Sequence, residues 1–165
     1  MSPTEDTASI ARRIAEANMY MTLATADAAG RPWASPVWYA PASTTEFLWV
    51  SRPGARHSRN IAFRPEIAIV IFDSTVPIGA AEALYLEAVA EQLSGDAVGP
   101  AIAVFSRRSQ ASGAGAWDTA DVSGPAALRL YRATAVSQFV LGPHDERLPV
   151  SPDDLSDSSR VDRGA

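Results

Sequence analysis

A chain of 165 residues, 47% hydrophobic and 20% charged, is long enough for one domain with its own core and has the composition of a water-soluble globular protein. Its net charge of -5 argues against nucleic acid or an anionic membrane as a general partner, and the absence of Cys excludes disulfides and thiol chemistry. No apolar run reaches the roughly 20 residues of a membrane span, and the N-terminus lacks the charged-then-apolar order of a signal peptide, so a cytoplasmic protein is expected.

Residues 1–7 are polar and are read as a disordered N-terminus. Asp6 or Thr7 can cap a helix near residues 8–18, in which Ile10, Ile14 and Ala17 recur at helical spacing. Met19 to Asp27 reads as a strand, with Ala28-Ala29-Gly30-Arg31 as its hairpin turn. In the next strand, Pro32 to Ala40, alternation puts Trp33, Ser35, Val37 and Tyr39 on one face and Ala34, Pro36, Trp38 and Ala40 on the other. Pro36 cannot donate to a ladder, which predicts an edge or a bulge there. Phe47 to Ser51 is a buried strand stopped by Pro53-Gly54, and a helix over about 55–64 ends at Pro65.

Ile67 to Phe72 is apolar at nearly every position, which predicts a central strand covered on both faces. Residues 73–79 are a loop. Ala81 to Leu93 alternates cleanly, with Leu84, Leu86 and Ala88 opposite Tyr85, Glu87, Val89 and Glu91. Residues 96–108 read as a helix with Val98, Ile102 and Phe105 on one face. Ser109 to Pro125 is a loop of small residues in which Trp117 is the exception, an anchor to the core or a contact with a second subunit. Residues 127–141 form a strand pair or one long bent strand. From residue 143 the acids and Ser-Pro pairs predict a flexible tail to residue 165. The domain proper is therefore placed at 8–142.

Charge is unevenly distributed along this chain. Between Glu46 and Glu66 there is no acidic residue, yet Arg52, Arg56, Arg59 and Arg64 all fall there, within an acidic whole. On a helix Arg56, Arg59 and Asn60 share a face, and the free N–H groups of the first turn lie beside Arg56 and His57. Such an end suits a phosphate, and with no Lys in the chain the cation must be Arg or His.

The strand ending in Ser51, followed at fixed offsets by Arg56, His57 and Arg59, then Asn60-Ile61 and Arg64-Pro65-Glu66-Ile67, resembles the cofactor-phosphate motif of the pyridoxamine 5′-phosphate oxidase-like, FMN-binding split-barrel family. The resemblance covers residues 19–93 best. It implies a mainly β (α+β) fold, a split barrel of six to eight antiparallel strands with a few peripheral helices. It also implies FMN held by Val50, Ser51, Arg56, His57 and Arg59, with Ser35, Val37, Trp38 and Tyr39 along the flavin ring. Members are typically homodimers with the cofactor sites at the interface, so the same is expected here. His57 stands where the family more often has Lys, and a bound dianion should favour its protonated form.

The chain departs from the oxidase that gives the family its name. Ser35 and Ala40 stand where that enzyme carries Arg and Lys, and Gln138-Phe139-Val140-Leu141 runs into Gly142-Pro143 without its terminal Arg-x-His motif. The resemblance thus implies a flavin-dependent oxidoreductase acting on an unidentified small molecule, with catalytic residues unassigned. Two alternatives keep the fold. One is a reductase using the deazaflavin F420, a cofactor of related proteins in GC-rich bacteria, whose Ala- and Arg-rich, Lys-free composition this chain shares; its acidic tail would meet Arg52 and Arg64. The other is a non-catalytic flavin-binding module. A metal site is not expected from two distant histidines. A Ser51, His57 and Asp73 triad lacks any nucleophile-elbow pattern and is read as coincidence.

Overall fold

The computed structural model describes residues 6–151; what the sequence suggested for residues 1–5 and 152–165 lies outside the described residues. In chain order the elements are α1 (Thr7–Ala17), β1 (Tyr20–Ala26), β2 (Pro32–Trp38), β3 (Ala40–Pro41), β4 (Glu46–Ser51), α2 (Arg56–Phe63), β5 (Glu66–Phe72), β6 (Ala83–Gln92), α3 (Val98–Ala111), β7 (Arg129–Leu141) and β8 (Arg147–Pro149). Every pairing is antiparallel, in the order β2-β1-β5-β6-β7-β4-β3 with β8 on β7. The two ends of that order are joined in the chain through Tyr39 alone, so the sheet curls on itself. Among the described residues no ladder joins β2 to β4, and the barrel is split there.

Alternation decides what fills the barrel. From β4, Phe47 and Trp49 enter the core, as do Met21 and Leu23 from β1, Ile67, Ile69 and Ile71 from β5, and Leu84 and Leu86 from β6. Leu48 points the other way, into a second cluster with Val98, Ile102 and Phe105 of α3. β4 is thereby buried on both faces, which fixes its end. α1 closes one side of the barrel through Ala8, Ala11, Ile14 and Ala15, capped by the Asp6 carboxylate, which accepts from the Ser9 N–H at 2.8 Å.

β2 is an end strand, as Pro36 requires, and Pro36 pairs with Thr22 on one side only. The hairpin before it is organised by Asp27, whose carboxylate accepts from the N–H groups of Ala29 and Arg31, with Gly30 at φ 79°. Residues 129–141 make one strand, and its register slips against β6 between Glu87 and Ala88, where Val136 bulges out 74% exposed.

Two expectations are corrected. β5 is not covered on both faces: Ile67, Ile69 and Ile71 are buried, but Ala68 and Phe72 on the other face are exposed, because none of the described residues packs over them. The stretch expected to be a tail from residue 143 instead starts with a turn and β8, and Val150 is buried in the barrel core. The sequence hid this strand because it is short and sits among acids and prolines.

α2 is tied to the barrel by a buried polar contact. The Asn60 side-chain amide donates to Thr25 Oγ1 at 2.9 Å, and both residues are buried. Asn60→Ala should cost about 1–3 kcal/mol in urea unfolding, since it leaves the Thr25 hydroxyl without this donor in a dry site.

Candidate functional site

The site grows from the end of β4. Ser51 is the last strand residue, Arg52-Pro53-Gly54 turns the chain, and the Ala55 N–H bonds the Arg52 carbonyl at 3.0 Å. α2 then starts with Ala55 as its cap, a residue with no side-chain acceptor to offer. The first intrahelical donor is the Arg59 N–H, so those of Arg56, His57 and Ser58 have no helical carbonyl to bond. No acid stands in that turn.

His57 bridges the split. Its Nε2 lies 2.7 Å from Ser51 Oγ on β4, and its Nδ1 lies 3.2 Å from Ser35 Oγ on β2. Half-burial of the ring pushes its pKa below the ordinary histidine value. Asp73 takes no part, because its carboxylate accepts from the backbone N–H and hydroxyl of Thr75, so the formal triad does not exist.

Beside His57 opens a cavity of about 500 Å³. Its wall is apolar: Val37 and Trp38 from β2, Val50 from β4, Phe105 from α3, and Trp117 and Leu128 beyond it. The aromatic rings meet edge to face, Trp38 to Phe105 at 4.9 Å and Phe105 to Trp117 at 5.6 Å. The loop carrying Trp117 is pinned to α3, where Ser109 Oγ donates to the Gly115 carbonyl at 2.7 Å and Ser106 Oγ accepts from the Trp117 N–H at 2.8 Å. With Ser109 so engaged, the polar groups offered to a ligand collect at the Ser51 and His57 end. The cavity suits a flat apolar body with one anionic end.

Five of the residues singled out from sequence line this cavity: Val37, Trp38, Val50, Ser51 and His57. Ser35 stands behind the His57 ring. Arg56 and Arg59 flank the site without lining it. The Arg56 guanidinium lies 4.3 Å from the Trp33 ring centroid, and Arg59 donates to the Gly54 carbonyl. Among the described residues, Arg52, Arg56, Arg59 and Arg64 form no ion pair with an acid.

Tyr39 is a correction. It is fully buried in the barrel core, and its hydroxyl donates to the Ala15 carbonyl at 2.6 Å, so it holds α1 and not a ligand. The reason is alternation: one residue beyond Trp38 the chain turns inward between β2 and β3. Phe105 and Trp117 were missed as wall residues. The isolated Trp in a loop of small residues was the available signal, and Phe105 was indistinguishable from an ordinary helix-core residue.

A split antiparallel barrel with a basic helix start beside an aromatic cavity defines the class of fold, and the comparisons name the family. The family model described as pyridoxamine 5′-phosphate oxidase matches residues 8–138, so the chain belongs to that family. No curated protein matches. Solved structures share the fold. A heme binding protein from Mycobacterium smegmatis has TM-score 0.74 and 22% identity, covering 93% of this chain and 61% of its own. HutZ, a heme storage protein from Vibrio cholerae, has TM-score 0.61 and 22% identity, covering 78% and 90%. An F420 reductase has TM-score 0.57 and 18% identity, covering 82% and 98%. At such identities the likeness is one of fold. Among the described residues no helix is long and apolar enough to cross a membrane.

Proposed function

We propose that the chain holds FMN by its phosphate at the start of α2 and acts as an FMN-dependent oxidoreductase on an unidentified small molecule. The observation that carries this reading is the Ser51 and His57 pair at the polar end of an aromatic cavity, near a run of four arginines that form no ion pair with an acid among the described residues. The residues fit the group. Ser51, His57 and the first-turn N–H groups of α2 suit a phosphate, and Val37, Val50 and Trp38 offer apolar surface to a planar ring. A bound flavin supplies hydride chemistry, while the protein binds, orients and shields it from water.

The F420 reading uses the same cavity and gives Arg52 and Arg64 to a longer acidic tail. The reading as a non-catalytic flavin-binding module keeps the cofactor without turnover. The absorption spectrum of the purified protein, with mass spectrometry of the heat-released ligand, decides between cofactors. FMN is expected, and F420 or a heme Soret band in its place would overturn the assignment. Reduction of bound FMN by NADH or NADPH is expected too, and its failure with every donor and acceptor tried would leave a binding module.

The reading includes a homodimer. The outer face of β5 and β6 exposes Ala68, Phe72 and Val89 beside Val136 of β7, an apolar surface that a second copy would cover. Sedimentation should give twice the chain mass, and Phe72→Asp with Val136→Asp should shift it to one. A monomeric wild type at micromolar concentration would remove the dimer.

A further inference from the structure

We propose that the bridge from Ser35 through His57 to Ser51 couples anion capture to a proton: each anion bound at the start of α2 brings one proton onto His57 and leaves the Ser51 hydroxyl free to donate to the ligand. This rests on the reading of α2 as an anion site and deepens it.

The count of hydrogens forces the coupling. A neutral imidazole has one N–H and one lone pair. Both ring nitrogens meet a serine oxygen, at 2.7 and 3.2 Å. One serine therefore accepts from the N–H, while the other must spend its only proton on the lone pair. That second hydroxyl has no donor left for a ligand. When a proton from solvent adds to the lone pair, both nitrogens donate, both serine oxygens accept, and both O–H groups are free. The site gains a positive charge, and Ser51, the serine of the pair that lines the cavity, is then a free donor whichever tautomer the neutral ring held, with no backbone movement. No other bond changes.

The surroundings of the ring disfavour its charged form until an anion arrives. His57 is the sole titratable group on the described cavity wall, which carries no carboxylate. The charged groups around it are cations. Arg52, Arg56 and Arg59 flank it in the chain, and Arg129 of β7 pairs across from Ser51 in the ladder and is turned onto the carbonyls of Gly124, Ala126 and Leu128. Burial acts in the same direction on the free protein. The bridge also spans the open seam of the barrel, so the two strands that line the cavity are joined through the group that titrates.

The sign follows from linkage. The free ring titrates below 6.5 and the anion-bound ring above its free value. Well below the free pKa the ring is already charged, and binding is tightest without proton uptake. Between the two values affinity falls by up to tenfold per pH unit and uptake approaches one proton. Above the bound value binding is weakest.

Calorimetric titration of FMN into the apo-protein, in buffers of different ionisation enthalpy from pH 6 to 9, measures the uptake directly. The phosphate of the ligand is a dianion above about pH 7, so uptake there belongs to the protein. Wild type should take up close to one proton at its maximum. Above about pH 7, His57→Lys should bind with no uptake and a flat pH profile, and His57→Gln should show no uptake. In parallel, NMR of the imidazole nitrogens, assigned by the signal lost in His57→Gln, should show sodium sulfate raising the His57 midpoint. FMN bound without uptake, on the same pH profile as His57→Gln, overturns the proposal. FMN that binds at no pH, with sulfate still raising the midpoint, overturns the flavin reading and leaves the coupling standing. A midpoint unmoved by sulfate together with no FMN binding overturns both.

Discussion

Replacing Arg56 and Arg59 together by Ala is expected to weaken FMN binding by about two to four powers of ten, because two charge-assisted contacts of about 1.5–3 kcal/mol each are lost. Among the described residues neither guanidinium is committed to an acid: Arg56 rests over Trp33, and Arg59 donates to the Gly54 carbonyl. Both side chains are exposed, so folding stability should change by less than about 1 kcal/mol. Arg31 and Arg147, an exposed pair outside the cluster, are the charge-matched control; their double Ala variant should bind FMN as wild type does. Fluorescence quenching of FMN by the three apo-proteins reads the difference. Equal affinity in all three would reduce the arginine cluster to a solvated helix face and remove the anion site.

That experiment tests a feature legible in the sequence, whereas the cavity it serves was only partly so. The basic window between Glu46 and Glu66, the strand ending at Ser51 and the turn at Pro53-Gly54 are local signals, and the structure keeps them local: strand, turn and helix follow in the chain as they do in space. The three helices and the alternation of β6 were readable for the same reason. The bridge from Ser35 to Ser51 was not, because it joins residues 22 and 6 positions from His57 across a seam that exists only once the sheet has curled. Tyr39 and β5 show a second limit. Apolar or aromatic character says that a side chain seeks cover, but not which surface covers it. Tyr39 finds the core and the Ala15 carbonyl, while the outer face of β5 finds no cover among the described residues. β8 shows a third, since a three-residue strand held by its partner β7 carries no periodicity of its own.

Trp49 offers a test of how far the barrel core governs the site. It is fully buried, stacked on Tyr131 with ring centroids 5.5 Å apart, and stands two residues before Ser51 on the same inward face of β4. Trp49→Ala should cost about 3–5 kcal/mol, the range for an emptied aromatic core site, out of a total of about 5–15 kcal/mol for a domain of this size. Trp49→Phe should behave differently. It gives up part of the ring contact, but it also removes Nε1, which is buried and has no hydrogen-bond partner among the described residues. Such an orphaned donor costs about 1–3 kcal/mol, so the two changes offset and the net loss should stay near 1 kcal/mol. The consequence for the site follows from geometry. Ser51 keeps its 2.7 Å contact with His57 only while β4 is held against β7, and in the Ala variant the slackened core should lower FMN affinity although no ligand contact was touched. Urea unfolding with and without FMN measures both effects. The Phe variant should retain the stabilisation that FMN gives wild type, and the Ala variant should lose part of it. A Trp49→Ala protein as stable as wild type would show that β4 is fixed by α3 and Leu48 on its outer face instead.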